Sequence, residues 1–309
     1  MLKKQKIGDN MDMDLKDKLV IGISSRALFD LEEENKIYEE QGLEAYCEYQ
    51  VAHEKDILKP GTAFPLIKSL HNLNVGKEKL AEIIIMSKNS ADTSLRIFNS
   101  IHHYGLDITR AALVDGSKIA PYLNAFSTDL FLSANKEDVQ EAIDGGIAAG
   151  LICGHNDLDI SPDRTVDQIR IAFDGDAVIF SDESEMIFQS QGLEAFDEHE
   201  RVNATNPMAE GPFAKLLATI SMVQSQFKGN NVPIRTALIT ARCAPAHERV
   251  IRTLRSWNVR IDESFFLGGV PKADVLKAFG AHIFFDDQLT HTNPASKLVP
   301  AAWVPGRRK

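Results

Sequence analysis

The hexapeptide QGLEAY at Gln41–Tyr46 returns as QGLEAF at Gln191–Phe196, 150 residues further on. At the same offset IGISSRALF (Ile21–Phe29) falls on IAFDGDAVI (Ile171–Ile179). A second block sets IIIMSKNSADTSLRIF, from Ile83, against TALITARCAPAHERVI, from Thr236, at an offset of 153. That offset holds without a gap through Tyr122–Asn135 and Val275–Gln288. One shared hexapeptide is within chance, whereas two collinear blocks at nearly equal offsets imply an internal duplication. The chain should therefore fold as two versions of one unit, and 309 residues is a comfortable length for two cores.

Each half alternates short β-rich runs with helical patterns. Strands are expected at Leu19–Ile23, Glu82–Met86, Ala111–Val114, Asp129–Leu132 and Leu151–Cys153, and again at Gln168–Phe173, Arg235–Thr240, Ser264–Leu267, His282–Phe285 and Leu298–Val304. Between them lie stretches such as Ala246–Trp257, with Val250, Ile251, Leu254 and Trp257 on one helical face. Alternation of this kind implies parallel βαβ units with right-handed crossovers. The expected class is α/β, two tandem Rossmann-like parallel-sheet lobes joined near His155–Asp167. The divisions are a flexible leader over 1–17, a first lobe over 18–158 and a second over 159–309. Within the second, a helical insertion covers about 181–235, and its acidic stretch EAFDEHER reads as a solvated helix face.

Composition removes several function classes. A net charge of −10 leaves no basic surplus for nucleic acid. No apolar run approaches the roughly 18 residues that span a bilayer, and the opening MLKKQKIGDNMDMDLKDK lacks the apolar segment of a signal peptide. Cys47, Cys153 and Cys243 are few, odd in number and far apart, which suits a reducing compartment. The reading is cytoplasmic, without membrane or nucleic-acid partner, and compatible with a homo-oligomer.

Ligands of such sheets bind beyond the carboxyl ends of the strands. In the second half those ends carry Asp174-Gly175-Asp176, then Thr240-Ala241-Arg242, then Lys272 after Gly268-Gly269, then Asp286-Asp287. Singly, an aspartate or threonine after a strand is usually a turn former or helix cap, and a lysine a solvated side chain. Together they are a set of carboxylates that would repel one another unless a cation compensated them. Magnesium, which prefers oxygen ligands and works beside phosphate oxygens, is the natural occupant.

FDGDAVIF resembles the first signature of the haloacid-dehalogenase phosphatase superfamily. ALITAR resembles the second, the lysine after GGV the third, and FFDDQ the fourth. At finer grain FDGDAVIFSDESE, SSRALFDLEEEN, SKNSADTSLRIFNSI and HYGLDITRA are similar to cytosolic 5′-nucleotidases of type I, over nearly the whole chain. The resemblance implies hydrolysis of a nucleoside 5′-monophosphate, AMP being the expected substrate. Asp174 would be the covalent nucleophile and Asp176 the proton donor and acceptor. Mg²⁺ would be held by Asp174, Asp176 through its backbone carbonyl, and Asp286, with Asp287 either a further ligand or standing behind them. Thr240 would contact the phosphate, and Lys272 would pair with both the phosphate and Asp174. Arg242 would touch it or stand behind it, with a surface role equally open. The helical insertion would select the substrate.

At the matched positions of the first half, Asp174 becomes Ser24, Asp176 becomes Arg26, Thr240 becomes Ser87, and Asp286-Asp287 become Ser133-Ala134. That half cannot run the same reaction. Its hydroxyl-rich, locally basic group of Arg26, Ser87, Lys88 and Asn89 is expected either to bind an anion, such as a regulatory nucleotide or part of the substrate, or to serve only as a structural platform. Two other readings of the whole chain stay open: a phosphatase for sugar phosphates or another small phosphomonoester, and a nucleotide sensor without catalysis. A sugar-nucleotide transferase using Asp174-Gly175-Asp176 as its metal motif would leave Lys272 and Asp286 unexplained.

Overall fold

Among the described residues ten apolar runs become ten strands, each overlapping the segment expected of it. They are β1 (Leu19–Ile23), β2 (Ala81–Ser87), β3 (Arg110–Leu113), β4 (Leu130–Ser133), β5 (Ala148–Cys153), β6 (Ile169–Phe173), β7 (Ile234–Thr240), β8 (Glu263–Phe266), β9 (Ile283–Asp286) and β10 (Ala301–Trp303). The computed structural model describes residues 15, 17–74, 79–154, 168–227 and 232–308. The expected leader over 1–17 lies almost entirely outside the described residues, and so does the junction His155–Asp167 with the lobe boundary at 158.

All ten strands form one sheet in the order β3-β2-β1-β4-β5-β10-β9-β6-β7-β8. The first five strands and the last five have the same internal order, each starting unit strand flanked by the second and fourth of its set. Every pairing is parallel except that of β5 with β10, where the two halves meet edge to edge. The strands read as near-continuous apolar runs because helices cover both faces; β2, AEIIIMS, is buried along its whole length.

Structural details repeat as well. The shared QGLEA carries a glycine with positive φ, 88° at Gly42 and 83° at Gly192, which breaks a long helix into two. Glycine takes that conformation at little cost. Strands β1 and β6 are each tied near their start by the side chain just before the fourth strand of the set: Asp129 accepts from Val20 N and His282 Nδ1 from Arg170 N, both at 2.9 Å. The cross-strand ion pair Glu82–Arg110 reappears as Arg235–Glu263 with the charges exchanged. Between β6 and β7 lie helices Glu183–Gln191, Leu193–Val202 and Ala214–Ser225, and between β1 and β2 lie Glu32–Ala52 and Phe64–Asn72.

One apolar cluster runs through both halves. Helix Phe64–Asn72 packs against β6 of the other half, and helix Ala214–Ser225 packs against β1. Beneath the carboxyl ends of β6 and β9, the rings of Phe173, Phe213 and Phe285 meet with centroids 4.8 to 6.1 Å apart. Phe173 precedes Asp174 and Phe285 precedes Asp286, so a packed aromatic floor fixes both strand ends.

Candidate active site

Where β6 ends, the backbone stays extended through Asp174, whose N–H donates to Phe285 O at 2.8 Å. The chain then loops back, closed by Phe180 N donating to Gly175 O at 2.9 Å. Asp286 ends β9, the neighbouring strand. Parallel strand pairing thereby brings together residues more than a hundred positions apart. Asp174, Asp286 and Asp287 each offer an oxygen within 4.8 Å of the others.

Lys272, at the start of helix Lys272–Phe279, reaches into this group, with Nζ 2.8 Å from Asp174 Oδ1 and 2.6 Å from Asp286 Oδ2. All three side chains are buried. Asp286 also accepts from Gln288 N at 2.8 Å and faces His291 Nδ1 at 3.1 Å. Burial alone would raise the Asp286 carboxyl, but His291 and Lys272 hold it below its ordinary value. Burial pushes Asp174 up, the negative charges of Asp286 and Asp176 add to this, and Lys272 opposes it. Asp287 is pushed up to about 8, first by burial and then by Asp174 and Asp286. Burial works against the Lys272 ammonium, yet the two carboxylates beside it keep it above its usual range.

One lysine does not balance three carboxylates, and Asp287 Oδ1 is buried without a hydrogen-bond partner. An all-oxygen donor set with an unmet lone pair fits a hard divalent cation such as Mg²⁺. Asp174, Asp286 and Asp287 would supply the carboxylates.

Thr240 ends β7, is buried, and accepts from Arg242 N at 3.2 Å. Such a hydroxyl still has a proton to donate. Gly175 leaves room on this side, since a Cβ there would find Thr240 Oγ1 at 3.5 Å.

Arg242, expected to touch the phosphate or stand behind it, stands behind Asp176. Its Nε and Nη2 donate to the two oxygens of Asp176 at 2.8 and 2.6 Å, and its Nη1 donates to Glu200 Oε2 at 2.5 Å. The alternative of a surface role is excluded by its burial.

Glu200 lies in the stretch EAFDEHER, read from sequence as a solvated face. Glu194 and Glu198 are exposed as expected, but Glu200 is wholly buried. The available signal was Phe196, four residues earlier and so on the same face of the helix. His291 carried no signal at all, because only the packing of helix Leu289–Ala295 brings it to Asp286.

In the first half, Arg26 is ion-paired with Glu32 at 3.0 Å and Lys88 with the buried Asp138 at 2.6 Å. Ser87 faces Ser25, hydroxyl to hydroxyl, at 3.2 Å, and Asn89 N donates to Ser87 Oγ at 3.2 Å. Among the described residues, the carboxylates of this half form no cluster comparable to that around Asp174.

Buried Asp174, Lys272 and Asp286, with half-buried Asp287 beside them, thus gather at the carboxyl ends of two parallel strands. The family model for 5′-nucleotidase matches residues 11–309, and the chain belongs to that family. It is also 41% identical over 296 residues to a human protein, cytosolic 5′-nucleotidase 1B, with 92% of this chain covered. The chain spans about half the length of that relative, 48%.

Proposed function

We propose that the protein hydrolyses nucleoside 5′-monophosphates, AMP among them, to nucleoside and phosphate through an aspartyl-phosphate on Asp174. The observation that carries this reading is the contact of Lys272 with both Asp174 and Asp286 at the ends of neighbouring strands. Family membership and the name of the human relative support the substrate class.

An oxygen of Asp174 attacks phosphorus, and the bond from phosphorus to the 5′-oxygen breaks. Asp176 gives a proton to the departing 5′-oxygen. Water then attacks the phosphorus of the acyl-phosphate, its proton passes to Asp176, and inorganic phosphate leaves with Asp174 restored. Lys272 holds the nucleophile by its Oδ1, and the hydroxyl of Thr240 donates to a phosphoryl oxygen. Mg²⁺ held by Asp174, Asp286, Asp287 and the Asp176 carbonyl would neutralise charge on the transferring group and the carboxylates. In this reading the helices between Phe180 and β7 form a cap that selects the substrate, and the chain works in a reducing compartment, consistent with three free cysteines. Among the described residues no helix is long and apolar enough to cross a membrane.

The two halves are read as copies of one unit, supported by their common strand order and repeated glycine breaks. The first is read as a platform, because Arg26 and Lys88 already have carboxylate partners. Arg26→Ala combined with Lys88→Ala is expected to leave substrate affinity and nucleotide response unchanged. A loss of either in titrations would instead establish an anion site there.

The main test is phosphate release from nucleoside monophosphates and sugar phosphates, with Mg²⁺ or with EDTA. Asp174→Asn should lower turnover by about a thousandfold or more, and EDTA should abolish it. Turnover of sugar phosphates alone would keep the mechanism and discard the substrate. No release from any compound would favour a nucleotide sensor.

A further inference from the structure

We propose that Glu200 is a positioning residue that acts through Arg242 to hold the carboxylate of Asp176 in place for proton transfer. The inference rests on the reading of Asp176 given above and extends it into the helical insertion.

Arg242 is fastened on several sides. Its fork takes both oxygens of Asp176, its third nitrogen takes Glu200, and its guanidinium carbon lies 5.1 Å from the centroid of the Phe196 ring. A bidentate fork fixes the plane of a carboxylate as well as its distance. Glu200 in turn fixes the fork. Its other oxygen accepts from Ser184 Oγ at 2.8 Å and Arg249 Nη1 at 3.0 Å. Side chains from helices Glu183–Gln191 and Leu193–Val202 thus converge on the group behind Asp176. Burying a carboxylate among guanidinium groups is a poor way to gain stability compared with apolar packing, so the arrangement calls for another explanation.

The first half supplies an internal comparison. Arg96 is the counterpart of Arg249, and it meets Glu34 at 2.5 Å from the start of helix Glu32–Ala52. Glu34 corresponds in sequence to Ser184, while the position of Glu200 is filled by Gln50, that of Arg242 by Asn89 and that of Asp176 by Arg26. The fold can therefore satisfy this arginine without a carboxylate at the position of Glu200. In the second half the carboxylate stands where it reaches Arg249 and Arg242 together. Asp176, Arg242 and Glu200 occur as a set only in the half that has the nucleophile. What Glu200 adds, relative to Glu34, is its hold on Arg242 and through it on Asp176.

The test is a double-mutant cycle on AMP hydrolysis with Mg²⁺ present, using Glu200→Gln, Asp176→Asn and the combination. Glu200→Gln should lower kcat about tenfold, a fraction of the general acid–base contribution, with KM nearly unchanged. In the Asp176→Asn enzyme it should cost nothing further, because the group it serves is gone. An equal loss in both backgrounds would mean that Glu200 acts through the fold at large, and the proposal would fall. So it would if Glu200→Gln alone left kcat unchanged. If Asp176→Asn itself does not slow turnover, the role of Asp176 is wrong, an outcome separate from a failure of Glu200. Should Glu200→Gln not fold, Glu200→Gln with Arg242→Asn supplies the pair that the first half carries at these positions. That variant should melt cooperatively and show the same kcat loss, and wild-type turnover from it would overturn the proposal.

Discussion

Asp287 concentrates the electrostatic problem of the site in one carboxyl. Its ordinary value is 3.8, and in the fold it is pushed up to about 8 by burial beside Asp174 and Asp286. Between those values the folded metal-free protein holds a proton that the unfolded chain has already lost. The contribution of Asp287 to metal-free stability is therefore fully present below the unfolded value and is lost as pH rises through about 8. A divalent cation reverses the trend, because it binds the ionised carboxylates and must displace those protons. At a hundred times its Kd a native-state ligand adds ~2.7 kcal/mol, a shift of several degrees. The melting temperature with Mg²⁺ minus that with EDTA should therefore be clearly larger at pH 8 than at pH 6. A difference that does not change with pH would remove Asp287 from the cation site. Asp287→Asn should flatten the dependence while leaving the metal-free protein more stable at pH 8.

At the scale of elements, the loop after β6 is held by a close approach that only glycine allows. Gly211 N donates to Ile179 O, and a Cβ on Gly211 would stand 2.4 Å from Phe180 O and 2.5 Å from Val178 O. These are backbone atoms of the segment that follows Asp176, so they cannot yield without moving it. Gly211→Ala should cost ~1–3 kcal/mol in denaturant titrations and also lower kcat. Gly61, its counterpart, is crowded by Phe29 and Ala27 backbone. Gly61→Ala should cost comparable stability with a smaller effect on kcat, since no chemistry follows Phe29. Equal activity losses would locate the damage in the fold rather than in the loop. This element also marks what a sequence can disclose. The strands and the placing of Asp174, Thr240 and Asp286 at their ends were legible, because periodicity and spacing are local. The antiparallel joining of β5 to β10 was not, because an apolar run such as Leu298–Val304 carries no direction. Glu200 was hidden for a related reason: the partner that buries it, Arg242, is 42 residues away.

Across the whole molecule, the seam between halves is also a support of the site. Trp303, on the seam strand β10, donates through its indole N–H to Asp287 O at 2.7 Å. Its neighbour Ala302 pairs with Phe285 on one side and Ile152 of the first half on the other. Gly150 of β5 faces both: a Cβ there would lie 2.8 Å from Ala302 Cβ and 3.0 Å from a Phe285 ring carbon. A methyl group at residue 150 would thus press on the ring that precedes Asp286, though it belongs to the other half of the chain. Gly150→Ala should lower the denaturant midpoint, at a cost of ~1–3 kcal/mol, and weaken Mg²⁺ dependence and turnover together. Because one apolar cluster runs through both halves, tryptophan fluorescence and far-ultraviolet circular dichroism should still report one coincident transition. Two separated transitions, with activity following only the second, would mean that the halves are energetically independent. The degenerate half would then be a passenger, whereas coincident loss would make it part of the framework that holds Asp286 and Asp287 in register with Asp174.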